Sequence, residues 1–131
     1  MKYLLDTNTV CHYLRGTIAT VKHIQGQKPS SLAISAITAM ELAYGVEKRQ
    51  SATLTAAVLG FLAGVQVLPF AQDAARQAGV IRAALERVGV VVSLTDCQIA
   101  GHALALGLTL VSTDVTFKRV SGLTVKNWSK A

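Results

Sequence analysis

Short apolar runs of β type alternate along the chain with longer segments of helical period, and that alternation constrains the fold more than any other feature. The runs are Lys2–Leu5, Ser31–Ile34, Val65–Leu68, Thr109–Val111 and Leu123–Val125. Between them, "LTAAVLGFL" places Leu54, Val58, Phe61 and Leu62 on one helical face. "AARQAGVIRAALERV" does the same with Ala74, Ala78, Ile81, Leu85 and Val88, and turns Arg76, Arg82, Glu86 and Arg87 outward. "DCQIAGHALALG" reads as a further helix, stopped by Gly107. Strands apolar along their whole length imply a sheet covered on both faces, which is the parallel α/β arrangement. A chain of 131 residues, 51% hydrophobic and without repeat, linker or low-complexity tract, is expected to form a single domain over residues 1–131.

That architecture directs attention to the residues just after strands. In open α/β sheets, ligands bind beyond the carboxyl ends of the strands, near the point where strand order reverses. Asp6 stands there, directly behind "YLL", and Asp114 follows "LTLVST". Only seven acids are present. Glu47, Asp73 and Glu86 lie among polar residues on helix surfaces, which implies solvation. Asp6, Glu41, Asp96 and Asp114 are set in apolar surroundings.

Each of these four has a structural reading. Glu41 follows Thr38 at capping-box spacing. Asp96 follows Ser93 and fits a first helical turn, where the dipole favours an anion. Asp6 and Asp114 suit turns, accepting backbone N–H bonds. A functional reading stands beside them. If the strand ends converge, the carboxylates share a pocket and repel, which raises their pKa values, and a divalent cation relieves the conflict. Mg²⁺ and Mn²⁺ prefer hard oxygen ligands. His12, His23, His102, Cys11 and Cys97 lack zinc-type spacing and read as packed or solvent-facing groups.

Charge points the same way. Thirteen Lys and Arg oppose seven acids, and setting four acids aside in a metal site leaves a strongly basic exterior. A metal-loaded pocket in a basic shell suits a nuclease, in which the cation activates water and bases hold the phosphate backbone. Lys118 and Arg119, just after Asp114, are candidates for that holding role, or they solvate a short helix. The N-terminus lacks a signal-peptide pattern and no window reaches the ~18 apolar residues of a membrane span, so the expected location is the cytoplasm, with no membrane partner.

The motifs "LLDTN", "ITAMELAYG", "DCQIAGHALALG" and "LVSTDVTFKRV" together resemble the PIN-domain ribonucleases, and among them the VapC toxins of bacterial toxin–antitoxin pairs. The resemblance covers nearly the whole chain. It implies a three-layer α/β/α fold with strand order 3-2-1-4-5. It also implies that Asp6 and Asp96 are the principal metal ligands, followed by Glu41 and Asp114, with Thr7, Asn8 and Ser112 as supporting polar contacts. The chain departs from the family pattern in the loop around Asp114, and in Gly101, which stands where alanine is usual and is expected to matter little.

The function so implied is an Mg²⁺- or Mn²⁺-dependent endoribonuclease that cleaves structured RNA, transfer RNA ahead of ribosomal RNA. Its implied partners are a VapB-type antitoxin covering the acidic pocket and a second copy in a homodimer. The segment around Val46–Leu62 carries an apolar excess that suits either a dimer face or, preferred here, the core. The alternative is a non-catalytic RNA-binding module whose acids are only caps. Phosphotransfer domains that place an aspartate after a strand fit less well, because they want adjacent acids, or a second aspartate where Asn8 stands.

Overall fold

A computed structural model describes residues 1–130. Five strands, β1 (Tyr3–Leu5), β2 (Leu32–Ser35), β3 (Gln66–Leu68), β4 (Thr109–Val111) and β5 (Val125–Lys126), form one sheet in the order β3-β2-β1-β4-β5. Every pair is parallel. The expected strands are all present, with ends displaced by a residue or two. Six helices connect them: α1 (Thr7–Leu14), α2 (Ile18–Gln25), α3 (Ala36–Arg49), α4 (Ala52–Gly64), α5 (Gln72–Arg87) and α6 (Leu94–Leu106). None is long and apolar enough to cross a membrane among the described residues.

Alternation along the strands divides the core into two layers. Leu4, Ala33 and Leu110 point to one face, where they meet Ile81 and Leu85 of α5 and Cys97, Ala100 and Ala103 of α6. Tyr3, Leu5, Ile34 and Val111 point to the other and meet Val10, Ile24, Leu42 and Val58 from α1 to α4. The result is the α/β/α sandwich. Burial on both faces holds for the central strands only. The edge strand β3 leaves Gln66 and Val67 exposed, because no further strand covers it.

The helical faces read from sequence hold with one exception. Ala74, Ala78, Ile81 and Leu85 are buried, whereas Val88 is 62% exposed. Helix α5 ends at Arg87, and Val88 is its C-cap, with ψ of 16°, so the residue no longer continues the apolar stripe. In the segment around Val46–Leu62, Val58 is buried and Val46, Leu54, Phe61 and Leu62 pack against the core. Most of that apolar excess is therefore core, and Leu59, 62% exposed, stays outside.

Gly101, expected to have little chemical consequence, has a structural one. A Cβ at this position would lie 2.5 Å from the Ala78 amide nitrogen and 2.8 Å from the Ala74 carbonyl oxygen. The backbones of α5 and α6 meet there, and only a glycine allows the approach. Gly79, on α5, has nothing within 4 Å of its missing Cβ. The same substitution at the two sites therefore has opposite signs. Gly101→Ala should cost about 1–3 kcal/mol through overpacking, and Gly79→Ala should gain roughly 0.5–1 kcal/mol through helix propensity. Thermal unfolding of the two variants checks this: a Gly101→Ala protein with an unchanged melting temperature would disprove the close contact.

Candidate functional site

The strand order reverses between β1 and β4, because the chain moves outward to β2 and β3 and then returns to the other side of β1. The ladder there continues one residue past β1, with the Asp6 amide donating to the Val111 carbonyl at 3.0 Å. The Thr9 hydroxyl donates to the same carbonyl, also at 3.0 Å. These bonds fix the turn from β1 into α1 against the end of β4. Asp6 caps α1, its Oδ1 accepting from the Thr9 amide at 2.8 Å. The side chain is only 3% exposed.

Glu41 reaches the same region from α3. The N-cap of α3 is Ser35, which accepts from the Ile37 amide at 3.0 Å. Thr38 lies inside the helix and is buried, so the capping-box reading of Thr38 and Glu41 does not hold. Glu41 is instead oriented from another element. The Thr7 hydroxyl donates to its Oε1 at 2.6 Å and lies 3.2 Å from the Thr38 hydroxyl.

Asp96 stands in the first turn of α6, its amide donating to the Ser93 hydroxyl at 3.2 Å. Asp114 caps the short 3-10 turn Val115–Arg119 by accepting from the Thr116 amide at 2.9 Å. Its own amide donates to the buried Ser112 hydroxyl at 3.0 Å. Ser112 also hydrogen-bonds to the Asp6 carboxyl, so one hydroxyl joins that carboxyl to the Asp114 backbone. Lys118 and Arg119 are exposed on the 3-10 turn, and Asn8 is exposed on α1.

Two of the acids, Asp6 and Asp96, are shifted in part by the charges of the others. Burial pushes the Asp6 carboxyl above the usual carboxylate range, hydrogen bonds from Ser112 and Thr9 oppose this, and the Asp114 charge adds to the rise. Burial also raises Asp96, the Ser93 hydrogen bond lowers it, and the charges of Asp114, Asp6 and Glu41 raise it further. Among the described residues the one ion pair, Arg82–Glu86, lies on the outer face of α5. None of the four acids is within bridging distance of a base there. Among the described residues no three His, Cys, Asp or Glu side chains stand close enough together to hold a metal ion. What the four acids offer is carboxylate oxygen without a paired base, the donor type that hard divalent cations prefer.

Sequence reasoning passed over three groups nearby. Thr9 ties Asp6 to β4, and Arg15 and Arg49 line a 360 Å³ groove between α1, α3 and α4 that opens beside Thr7 and Glu41. Thr9 carries a sequence signal, since it stands three residues after a capping aspartate. The arginines carry none, because Arg15 follows α1 and Arg49 ends α3, and only the packing of those helices brings the two to one groove.

Comparisons with known proteins agree with this fold. A family model, the PIN domain, matches residues 3–123. The tRNA(fMet)-specific endonuclease VapC of Shigella flexneri is 38% identical over 131 residues, covering 98% of this chain and 99% of that protein. Ribonuclease VapC2 of Haemophilus influenzae is 34% identical over 130 residues, covering 98% of each. A chain in the crystal structure of DNA-bound VapBC from Salmonella typhimurium matches with a TM-score of 0.88 at 36% identity, covering 98% of each chain.

The raised carboxyls fix the sign of a pH effect. The folded chain holds protons on Asp6 and Asp96 that the unfolded chain releases, so metal-free stability is greatest at low pH for these groups. It falls as pH rises from the ordinary carboxylate pKa through the raised folded values. Asp6→Asn removes one charge and keeps a good N-cap residue. Chelator-treated Asp6→Asn protein should melt at or above the wild-type temperature at neutral pH, with a weaker decline of stability above pH ~4. A lower melting temperature at every pH would show that the carboxylate stabilises the fold.

Proposed function

The chain belongs to the PIN-domain family, among its VapC ribonucleases, and we propose that it is the toxin of a toxin–antitoxin pair, acting on RNA at the acidic end of β1 and β4. What supports this reading is that the charges of Asp114, Asp6 and Glu41 all act on Asp96, with no base paired to any of the four among the described residues. PIN-domain nucleases are in general divalent-metal dependent, and the all-oxygen donor set favours Mg²⁺ or Mn²⁺ here. Residues 1–131 act as one domain.

Asp6 and Asp96 would be the principal ligands, with Glu41 and Asp114 completing the set. When bound, the cation supplies Lewis acidity toward water and toward the phosphoryl oxygens. The chain supplies the orientation. Asp6 spends Oδ1 on the Thr9 amide, which fixes the orientation of its carboxyl. Glu41 spends Oε1 on Thr7, which leaves Oε2 to hold the proton of an attacking water. Ser112 steadies Asp6 and Asp114 together, and Asn8, exposed on α1 two residues after Asp6, would be a further polar contact. Lys118 and Arg119, exposed beside Asp114, would hold the phosphate backbone while water attacks in line, the P–O bond to the 3′-oxygen breaks and that oxygen takes a proton from solvent. No side-chain nucleophile is required.

The similarity to an enzyme named for tRNA(fMet) favours transfer RNA over ribosomal RNA as substrate. The similarity to a VapBC complex favours a VapB-type antitoxin as partner, and the groove beside Glu41 offers it a seat next to the acids. A homodimer would extend the basic surface. This reading places the protein in the cytoplasm with its RNA.

The test is cleavage of total bacterial RNA with Mg²⁺ or Mn²⁺, with the ends mapped by sequencing. Asp6→Asn and Asp96→Asn should each lose roughly a hundredfold or more in rate, since a displaced cation forfeits several kcal/mol of transition-state stabilisation. Glu41→Gln should follow, and EDTA should silence the wild type. Lys118→Ala should raise KM and flatten the salt dependence with kcat retained. RNA bound equally well in EDTA, with no products formed, would instead support the non-catalytic binding module.

A further inference from the structure

His102 is a histidine that the site does not use. It sits in the middle of α6, six residues beyond Asp96, and is 2% exposed. Its Nδ1 lies 2.8 Å from the Ser35 hydroxyl, which is itself fully buried. Phe70 meets the ring edge-on, with centroids 5.4 Å apart. The Pro69 carbonyl, just after β3, hydrogen-bonds to the ring and opposes the fall in pKa that burial imposes. With a ring proton held toward Pro69, Nδ1 is assigned as the acceptor, and the Ser35 hydroxyl as donor.

Ser35 has a second duty. Its oxygen accepts from the Ile37 amide and so caps α3, the helix that carries Glu41 six residues further on. One hydroxyl therefore joins the start of α3 to the middle of α6. Each end of the bond stands six residues, about 9 Å of helix, from its acid. On its other side α6 is pressed onto α5 at Gly101, where no side chain fits. Helix α6 is thus held by a backbone contact at Gly101 and by a polar bond at His102, two adjacent residues.

We infer that His102 is a positioning residue: through Ser35 it sets the separation of Asp96 and Glu41 and so the fit of the cation site. The inference rests on the ribonuclease reading for its consequence, but the tie itself is independent of it. An apolar side chain of the same volume would fill the space equally well. It would leave the Ser35 hydroxyl buried without its acceptor and leave α6 free to slide along α3. A neutral imidazole suits the role, because an imidazolium at Nδ1 would point a donor at the serine.

Two variants separate positioning from packing. His102→Phe keeps the ring and removes both polar atoms. His102→Asn puts an amide oxygen near the place of Nδ1, where it can accept from Ser35. Three readouts apply: hydrogen exchange of the Ile37 and Asp96 amides in chelator-treated protein, Mn²⁺ affinity by calorimetry without RNA, and the split of kcat from KM for RNA cleavage. In His102→Phe, both amides should exchange faster, Mn²⁺ affinity and kcat should each fall about tenfold by analogy with the loss of groups that orient metal ligands, and KM should stay unchanged. His102→Asn should recover most of each. A folded His102→Phe protein with wild-type exchange, Mn²⁺ affinity and kcat would overturn the inference, as would losses in both variants that track melting temperature alone. A wild-type chain that neither binds Mn²⁺ nor cuts RNA would overturn the ribonuclease reading, and with it the purpose given to the tie, while the exchange result would still decide whether the tie exists.

Discussion

A carboxylate buried at the end of the central strand is the constraint on which the rest depends. Burying an ionised acid without a partner is expensive, and the usual outcome is protonation or a paired base. Asp6 takes neither remedy in full. It is held by the Thr9 amide and by hydroxyls, in a turn that two hydrogen bonds to the Val111 carbonyl keep against β4. The pairing of β1 with β4 is therefore what creates the site. Without it Asp6 would be a surface helix cap, and Asp114 would lie in a separate loop.

The sequence made the sheet legible because its strands are short, apolar and bounded by helices of clear period. It made the acids legible because only seven exist and four stand in apolar surroundings. What stayed hidden depends on contacts between distant segments. The Thr38–Glu41 spacing imitates a capping box, yet Ser35 caps α3, since the chain leaves β2 three residues earlier than that spacing suggests. The need for glycine at 101 is set by the backbone of α5, which no local pattern in α6 reports. The bond between His102 and Ser35 joins residues 67 apart, and neither has a neighbour in sequence that announces it. Val88 failed for a simpler reason: periodicity does not mark where a helix stops, and Gly89, at φ of 73°, turns the chain just after it.

The structural readings of three of the acids hold in the fold, and they do not compete with the functional reading proposed for them. Asp6 caps α1, Asp114 caps a 3-10 turn, and Asp96 occupies the first turn of α6. Three of the four acids thus stand where unsatisfied backbone N–H groups favour negative charge. A helix terminus of this kind partly offsets the repulsion that convergence imposes, and does so without a lysine or arginine that would compete with a cation. Glu41 alone lacks such a terminus, being in the second turn of α3, and it is also the acid that takes the short bond from Thr7. Helix termini are then what the fold offers Asp6, Asp96 and Asp114 in place of a paired base, and the two true caps commit one oxygen of Asp6 and one of Asp114 to the backbone.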